Sequence, residues 1–294
     1  MKASVPIKLR ARHHDLGGIP VNRVLPERQC RAVGPFVFFD HFGPAEADMQ
    51  VAPHPHIGLS TLTWLFSGSV RHRDSLGNDQ IIKPGEVNWM TAGRGVVHSE
   101  RARRDPGAPL HGIQCWVAQT VEHEQGEPEF AHLGADELPR FSQEGIEWTL
   151  AVGHWQEEHS PLAINWPAFF VQGRVVAPGR WQWWYPACWA LGVYVISGHL
   201  SVHWHDGSIT ALNAGEMAAF PPPEDEAHPE ITANEGTVFV CFGGEPLPEE
   251  RLFDWNFVAS NADILTAARA AWIGRSFPPV PGDPGRIPHP AEPQ

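Results

Sequence analysis

From residue 54 to residue 100 short apolar runs alternate with glycine and proline breaks, and the runs are too brief for confident helices. Leu59-Ser60-Thr61-Leu62-Thr63-Trp64-Leu65-Phe66 is rich in aromatic and β-branched residues and reads as a buried strand. Ser67-Gly68 breaks it, Val70 to Asp74 extends again, and Ser75-Leu76-Gly77-Asn78 supplies turn chemistry. Ile81-Ile82 opens another strand that Pro84-Gly85 ends. Val87 to Met90 leads through the bends allowed by Gly93-Arg94-Gly95 into Val96-Val97-His98-Ser99-Glu100. Regular short strands with such punctuation predict an all-β barrel or sandwich.

The pattern recurs. Val193-Tyr194-Val195-Ile196-Ser197-Gly198 repeats Thr63 to Gly68, and Ala214-Gly215-Glu216-Met217 repeats Pro84 to Val87. Self-similarity of this kind predicts a duplicated barrel. We expect a first domain over residues 1–135, a second over 136–245, and a segment over 246–276 whose helix packs on a barrel. That helix takes Asn261 as N-cap and Asp263 in its first turn, puts Ile264, Ala268 and Trp272 on one face, and ends at Gly274. Residues 277–294 are dominated by proline and glycine and are expected to form a disordered or polyproline-like tail.

Composition narrows the functional classes. A length of 294 residues suffices for two domains with their own cores. With 21 basic and 34 acidic residues the formal charge is −13, which disfavours direct contact with nucleic acid or an acidic membrane surface. The Arg101, Arg103 and Arg104 cluster is the exception: it either steers an anionic substrate or forms a solvated face or internal ion pairs. No apolar run is long enough to span a bilayer, and no signal peptide is evident, so a cytoplasmic protein is expected, or a nuclear one in a eukaryote. Cys30, Cys115, Cys188 and Cys241 lack metal or redox spacing and suit buried thiols in a reducing compartment.

The chemistry concentrates in two dyads, His54-x-His56 and His98-x-Glu100. Residues i and i+2 of a strand project from one face, so each dyad presents two ligand atoms together. One His-x-His in a chain with 17 histidines carries little weight, but two dyads on strands of one barrel can aim three imidazoles and a carboxylate at one point. That donor set suits a first-row transition metal, and at six-coordinate iron it leaves two positions for dioxygen, water or substrate. By strand parity Ser60, Leu62, Trp64 and Phe66 are expected on the face of His54 and His56, as an apolar wall or simply as barrel core.

The second half keeps only part of this. His98 stands thirteen residues past Gly85 and His228 thirteen past Gly215, followed by Glu230. Twelve residues before Gly68 stands His56, but twelve before Gly198 stands Pro186, with Trp184 at the place of His54, and neither donates a lone pair to a metal. The second barrel is therefore expected to lack a complete metal site, with His228 and Glu230 structural or solvated and His203 and His205 on an exposed strand face.

Gly34-Pro35-Phe36-Val37-Phe38-Phe39-Asp40-His41-Phe42-Gly43-Pro44, His54-Pro55-His56-Ile57-Gly58, His72-Arg73-Asp74-Ser75-Leu76-Gly77-Asn78 and Trp89 to Glu100 closely resemble the pirin family of the cupin superfamily. His111 to Val117 and Trp255 to Val258 resemble later landmarks of the family, and the likeness runs from about residue 10 to residue 275. The resemblance implies a bicupin: two tandem jelly-roll β-barrels with a C-terminal helix and one Fe(II) in the first barrel. It places the ligands at His54, His56, His98 and Glu100.

Some pirin-like proteins are quercetin 2,3-dioxygenases, and others are iron-dependent transcriptional co-regulators. The resemblance therefore implies an oxidoreductase that joins dioxygen to a small aromatic substrate of the flavonol type. Glu100 is then the candidate to accept the substrate proton. The alternative is a non-catalytic redox-sensing regulator that binds a protein partner. Zn, Mn, Ni or Cu could replace iron, and a structural Zn²⁺ site is a third reading. Family members commonly carry Glu four residues after the second histidine, where this chain has Ser60.

Overall fold

Glycine and proline breaks at the strand ends divide the chain in space as they do along the sequence. The computed structural model of the protein describes residues 6–292, apart from residues 17, 106, 183–185, 187, 204–206 and 223–229. Trp184, His205 and His228 thus lie outside the described residues. Two units form: one from residues 14–21, 40–135 and 247–294, the other from residues 1–13, 22–39 and 136–246.

The first unit is a barrel of two sheets. Its larger sheet orders Glu129–Leu133, Val87–Thr91, Leu59–Ser67 and Leu110–Ala118 side by side, followed by residues 40–45 of the Phe36–Ala45 strand. Its smaller sheet orders Met49–His56, Val96–Ala102, Val70–Asp74 and Asp79–Ile82. Phe42, Met49, Leu65, Val70, Ile82, Ala102 and Leu110 pack as a buried core near one end. Burial of each large apolar side chain contributes about 1.5–3 kcal/mol.

The second unit repeats the plan. Its larger sheet orders Ile7–Arg10, Glu216–Phe220, Ala190–Ser197, Val238–Gly244, Ala168–Val175, Ile146–Trp155 and Arg140–Gln143. Its smaller sheet orders Gly179–Gln182, Glu230–Ala233, His199–His203 and Ile209–Asn213. Both smaller sheets run first, fourth, second and third strand, the signature of the predicted duplication. Trp148, Trp155, Trp181, Trp189, Phe169 and Phe239 dominate the second core.

The chain passes from one unit to the other between residues 135 and 136, and the units interleave near the N-terminus rather than following one another. Ile7–Arg10 pairs antiparallel with Glu216–Phe220, so the first strand completes the second barrel's sheet. Lys8 reinforces this pairing with an ion pair to Glu216 at 2.7 Å. Local pattern identifies such a strand but does not reveal its distant partner.

The helix spans Ala262–Ile273 with the expected cap: Asn261 accepts from the amides of Asp263 and Ile264. Its buried face is Leu265, Ala268 and Trp272, with Ile264 partly buried beside them. The tail departs from expectation. Residues 277–292 adopt no strand or helix, yet Val280 is buried and Phe277 stacks on Phe257 at 6.1 Å. Arg101 pairs with Asp283, Arg286 with Glu292, and the Ile287 amide donates to the Pro53 carbonyl at 2.8 Å. Charged and apolar anchors spaced among the prolines hold this segment, whereas overall composition suggested disorder. Among the described residues no helix is long and apolar enough to cross a membrane.

Candidate metal centre

The Met49–His56 and Val96–Ala102 strands pair antiparallel with His98 directly opposite His54. Between Val51 and His54 the register shifts by one residue, a bulge at Ala52-Pro53. Met49 and Val51 therefore share the inward face with His54 and His56, although their parity differs. The bulge also frees the Ala52 carbonyl, which accepts from His54 Nδ1 at 2.9 Å.

His54, His56 and His98 are all buried, and each offers a ligand atom within 4.8 Å of the others'. Their ring centroids lie 4.3 Å apart for His54 and His98, 5.0 Å for His56 and His98, and 5.1 Å for His54 and His56. His56 Nδ1 donates to the Asn256 carbonyl at 3.2 Å. Donation from Nδ1 leaves Nε2 of His54 and His56 as the lone-pair nitrogen. Burial lowers the His54 pKa to about 4 and those of His56 and His98 well below the usual imidazole value, reinforced by the other histidines. Three neutral imidazoles at pH 7 are what a divalent cation requires.

Glu100 stands apart. Its carboxylate does not join the group of atoms that the histidines form. The residue sits opposite His72 in the sheet, partly buried, with its pKa raised by burial and opposed by His72. The structure thus unites three of the four predicted residues and puts the fourth on the same inward face, two residues along the strand from His98.

The wall differs from the parity prediction. Gly58 turns the chain at φ +66°, and a Cβ there would meet the Val258 carbonyl at 1.9 Å, so the strand re-enters with its faces exchanged. Thr61 lies opposite both Met90 and Trp116, and the Trp116 ring meets His56 edge-on at 5.1 Å. Thr61, Thr63 and Leu65 therefore face inward, while Ser60, Leu62 and Trp64 face away. Ser60 instead meets the hydroxyl of Thr91 at 3.2 Å. The half-buried Trp116, Met90 and the half-buried Phe130, opposite Met90, give the site its apolar side.

His72 and Asp74 were not singled out as site residues, although they repeat the i, i+2 signal of the other dyads. His72 stacks on Phe130 at 4.6 Å and approaches His98 Nδ1 to Nδ1 at 3.4 Å. Of the arginine cluster, Arg101 pairs with Asp283 and Arg104 with Glu46, which favours the ion-pair reading over substrate steering. Cys115 and Cys241 are buried, Cys30 is partly buried and Cys188 exposed, all as free thiols.

The residues fit a metal. His98 Nε2 is buried without a hydrogen-bond partner, a costly arrangement for a polar atom unless something binds it. It belongs to the histidine group just described, so one cation would satisfy it together with His54 and His56.

In the second barrel Trp181, Ile231 and Val202 occupy one cross-strand row and belong to the buried core. Glu230 pairs with Arg180 at 2.8 Å, and His203 Nε2 meets the Thr232 hydroxyl at 2.8 Å. Among the described residues His54, His56 and His98 form the only such group of possible metal ligands.

Residues 18–117 match the family model for pirin, and residues 170–278 that for the pirin C-terminal cupin domain. A pirin-like protein of Caulobacter vibrioides is 40% identical over 277 residues, covering 89% of this chain and 91% of its own. A Pseudomonas aeruginosa protein provisionally named quercetin 2,3-dioxygenase is 35% identical, covering 87% of this chain and 79% of its own. The crystal structure of an Acinetobacter baumannii quercetin 2,3-dioxygenase superposes with a TM-score of 0.89 at 32% identity, covering 99% of this chain and 96% of that one. Two barrels of matching strand order, a buried histidine triad in the first of them and these likenesses along most of the chain agree: the protein belongs to the pirin family of cupins.

Proposed function

We propose that the protein is a metal-dependent dioxygenase, with Fe(II) held in the first barrel and a flat aromatic substrate of the flavonol type. The observation that carries this reading is three neutral, buried imidazoles beside a partly exposed aromatic wall of Trp116 and Phe130. The quercetin dioxygenase names of two similar proteins support the choice of substrate class.

His54, His56 and His98 would hold the ion through their Nε2 atoms, and Glu100, on the same inward face, would have to turn its carboxylate toward them to serve as fourth ligand. Bound iron would supply a Lewis acid for a substrate oxygen and an electron path between substrate and dioxygen. Trp116, Phe130 and Met90 would pack against the substrate rings, because flat apolar surfaces stack favourably on aromatic faces. Glu100 would take the proton of the reacting hydroxyl. Burial raises its pKa in the metal-free site and ligation to a cation would lower it, so the carboxylate would act as base only while it is off the ion.

Oxygen uptake and flavonol loss by anaerobically purified, iron-loaded protein test the reading. Consumption of both is expected, with loss of activity in His98→Ala. Persistence of the flavonol in air with full iron occupancy would overturn it in favour of a non-catalytic regulator.

A further inference from the structure

The three histidines do not have equivalent supports. His54 and His56 each donate Nδ1–H to a backbone carbonyl, that of Ala52 and that of Asn256. His98 has an imidazole instead: its Nδ1 lies 3.4 Å from His72 Nδ1. The opposite nitrogen of His72, Nε2, lies 3.1 Å from Asp74 Oδ2. Asp74 is fully buried and is fixed by its own turn. Its Oδ1 accepts from the amides of Leu76 at 2.9 Å and Asn78 at 3.0 Å, and its Oδ2 from Asn78 Nδ2 at 2.9 Å. Phe130 stacked on the His72 ring, 18° from parallel, limits rotation of that ring.

We propose that Asp74 and His72 form a positioning dyad that holds His98 in the tautomer and orientation a metal needs. The inference rests on the reading that His54, His56 and His98 hold the ion. Proton counting makes it specific. If Nε2 of His98 binds metal, Nδ1 carries its proton and must donate. His72 Nδ1 is then the acceptor, so the proton of His72 sits on Nε2 and is donated to Asp74. With the His98 proton on Nδ1, a second proton on His72 Nδ1 would set two N–H groups head to head, so metal binding at His98 Nε2 fixes the direction of both contacts. The buried carboxylate charge thereby reaches one ligand of three through a relay. Carboxylate support of a ligating histidine fixes its ring and raises its donor strength.

Co(II) is a suitable probe, because ligand N–H protons appear as shifted, exchangeable resonances. Metal-stripped wild type, His72→Phe and His72→Gln are titrated with Co(II) against a competing chelator, and proton spectra are recorded for each loaded form. Phe preserves the stack on Phe130 but accepts no proton, whereas Gln offers a carbonyl oxygen to His98. We expect about 10–100-fold weaker Co(II) binding in His72→Phe, with one of three exchangeable ligand resonances lost and two kept. His72→Gln should restore that resonance and part of the affinity. Asp74→Asn should weaken binding as well, but it also touches the 74–78 turn, so His72 carries the test. Unchanged affinity with all three resonances in His72→Phe would overturn the dyad while leaving the metal centre intact. Failure of wild type to show any shifted histidine resonance would overturn the metal centre and the dyad together.

Discussion

The two barrels share one frame and differ in what fills it. On the smaller sheet of the first, the row crossing three strands reads His54, His98, Asp74. A row crossing the equivalent strands of the second reads Trp181, Ile231, Val202. Among the described residues the second interior is packed with indole, phenyl and aliphatic groups and gathers no cluster of possible metal ligands. The first carries buried imidazoles, one with an orphaned nitrogen, and its polar atoms are satisfied only if something binds. The strand frame is thus indifferent to chemistry, and a handful of inward positions decides it.

Acid should separate the two most strongly. The His54 pKa of about 4 lies below its ordinary value of 6.5. Between those values the unfolded chain takes up a proton that the folded, metal-free chain refuses. Stability therefore falls as pH drops through that window, by roughly 3 kcal/mol for this group alone at 1.36 kcal/mol per unit. Hydrogen exchange at pH 7 and pH 4 should show amides of Val96–Ala102 losing protection before those of Ala168–Val175. Equal loss in both barrels would remove the contrast.

An effect of similar size on stability, though not one that separates the two barrels by pH, is expected from removing residues 277–294. Loss of the Val280 and Phe277 packing should cost about 2–4 kcal/mol, read as a lowered denaturant midpoint. Loss of the bond from the Ile287 amide to Pro53 loosens the bulge beside His54. Metal affinity should therefore fall several-fold with stability, and an unchanged affinity would show that the tail only covers the sheet.

The smallest effects belong to Glu230→Ala and Ser60→Glu. Glu230 forms an exposed ion pair, worth about 0–1 kcal/mol, and its loss should leave metal content unchanged. A glutamate at position 60 would project away from the histidines, so it should leave metal content and any flavonol turnover near wild type. A rise in turnover would mean that this strand presents its even-numbered face to the site after all.

Much of the site was legible because it obeys a local rule. The i, i+2 spacing of His54 and His56 survives into the structure, and His98 meets them from the strand paired with theirs. Parity failed across Gly58, because one left-handed residue exchanges the faces of everything after it. His72 repeats the same spacing with Asp74, but only the pairing of its strand with Val96–Ala102 reveals that it adjoins His98. The Asn256 carbonyl, 200 residues from His56, has no side-chain signature to read. The membership of Ile7–Arg10 in the second barrel's sheet and the anchoring of the tail have no local signature, because their partners are remote in sequence.

The most direct test counts metal ions per chain in purified, iron-loaded wild type and in His98→Ala, with circular dichroism to confirm the fold. One ion in wild type and none in the folded variant is the predicted result, since losing a ligand should cost more than the ~10–100-fold loss attached to a supporting bond. Two ions in wild type, or one retained in His98→Ala, would contradict the assignment of a single metal centre to the histidines of the first barrel.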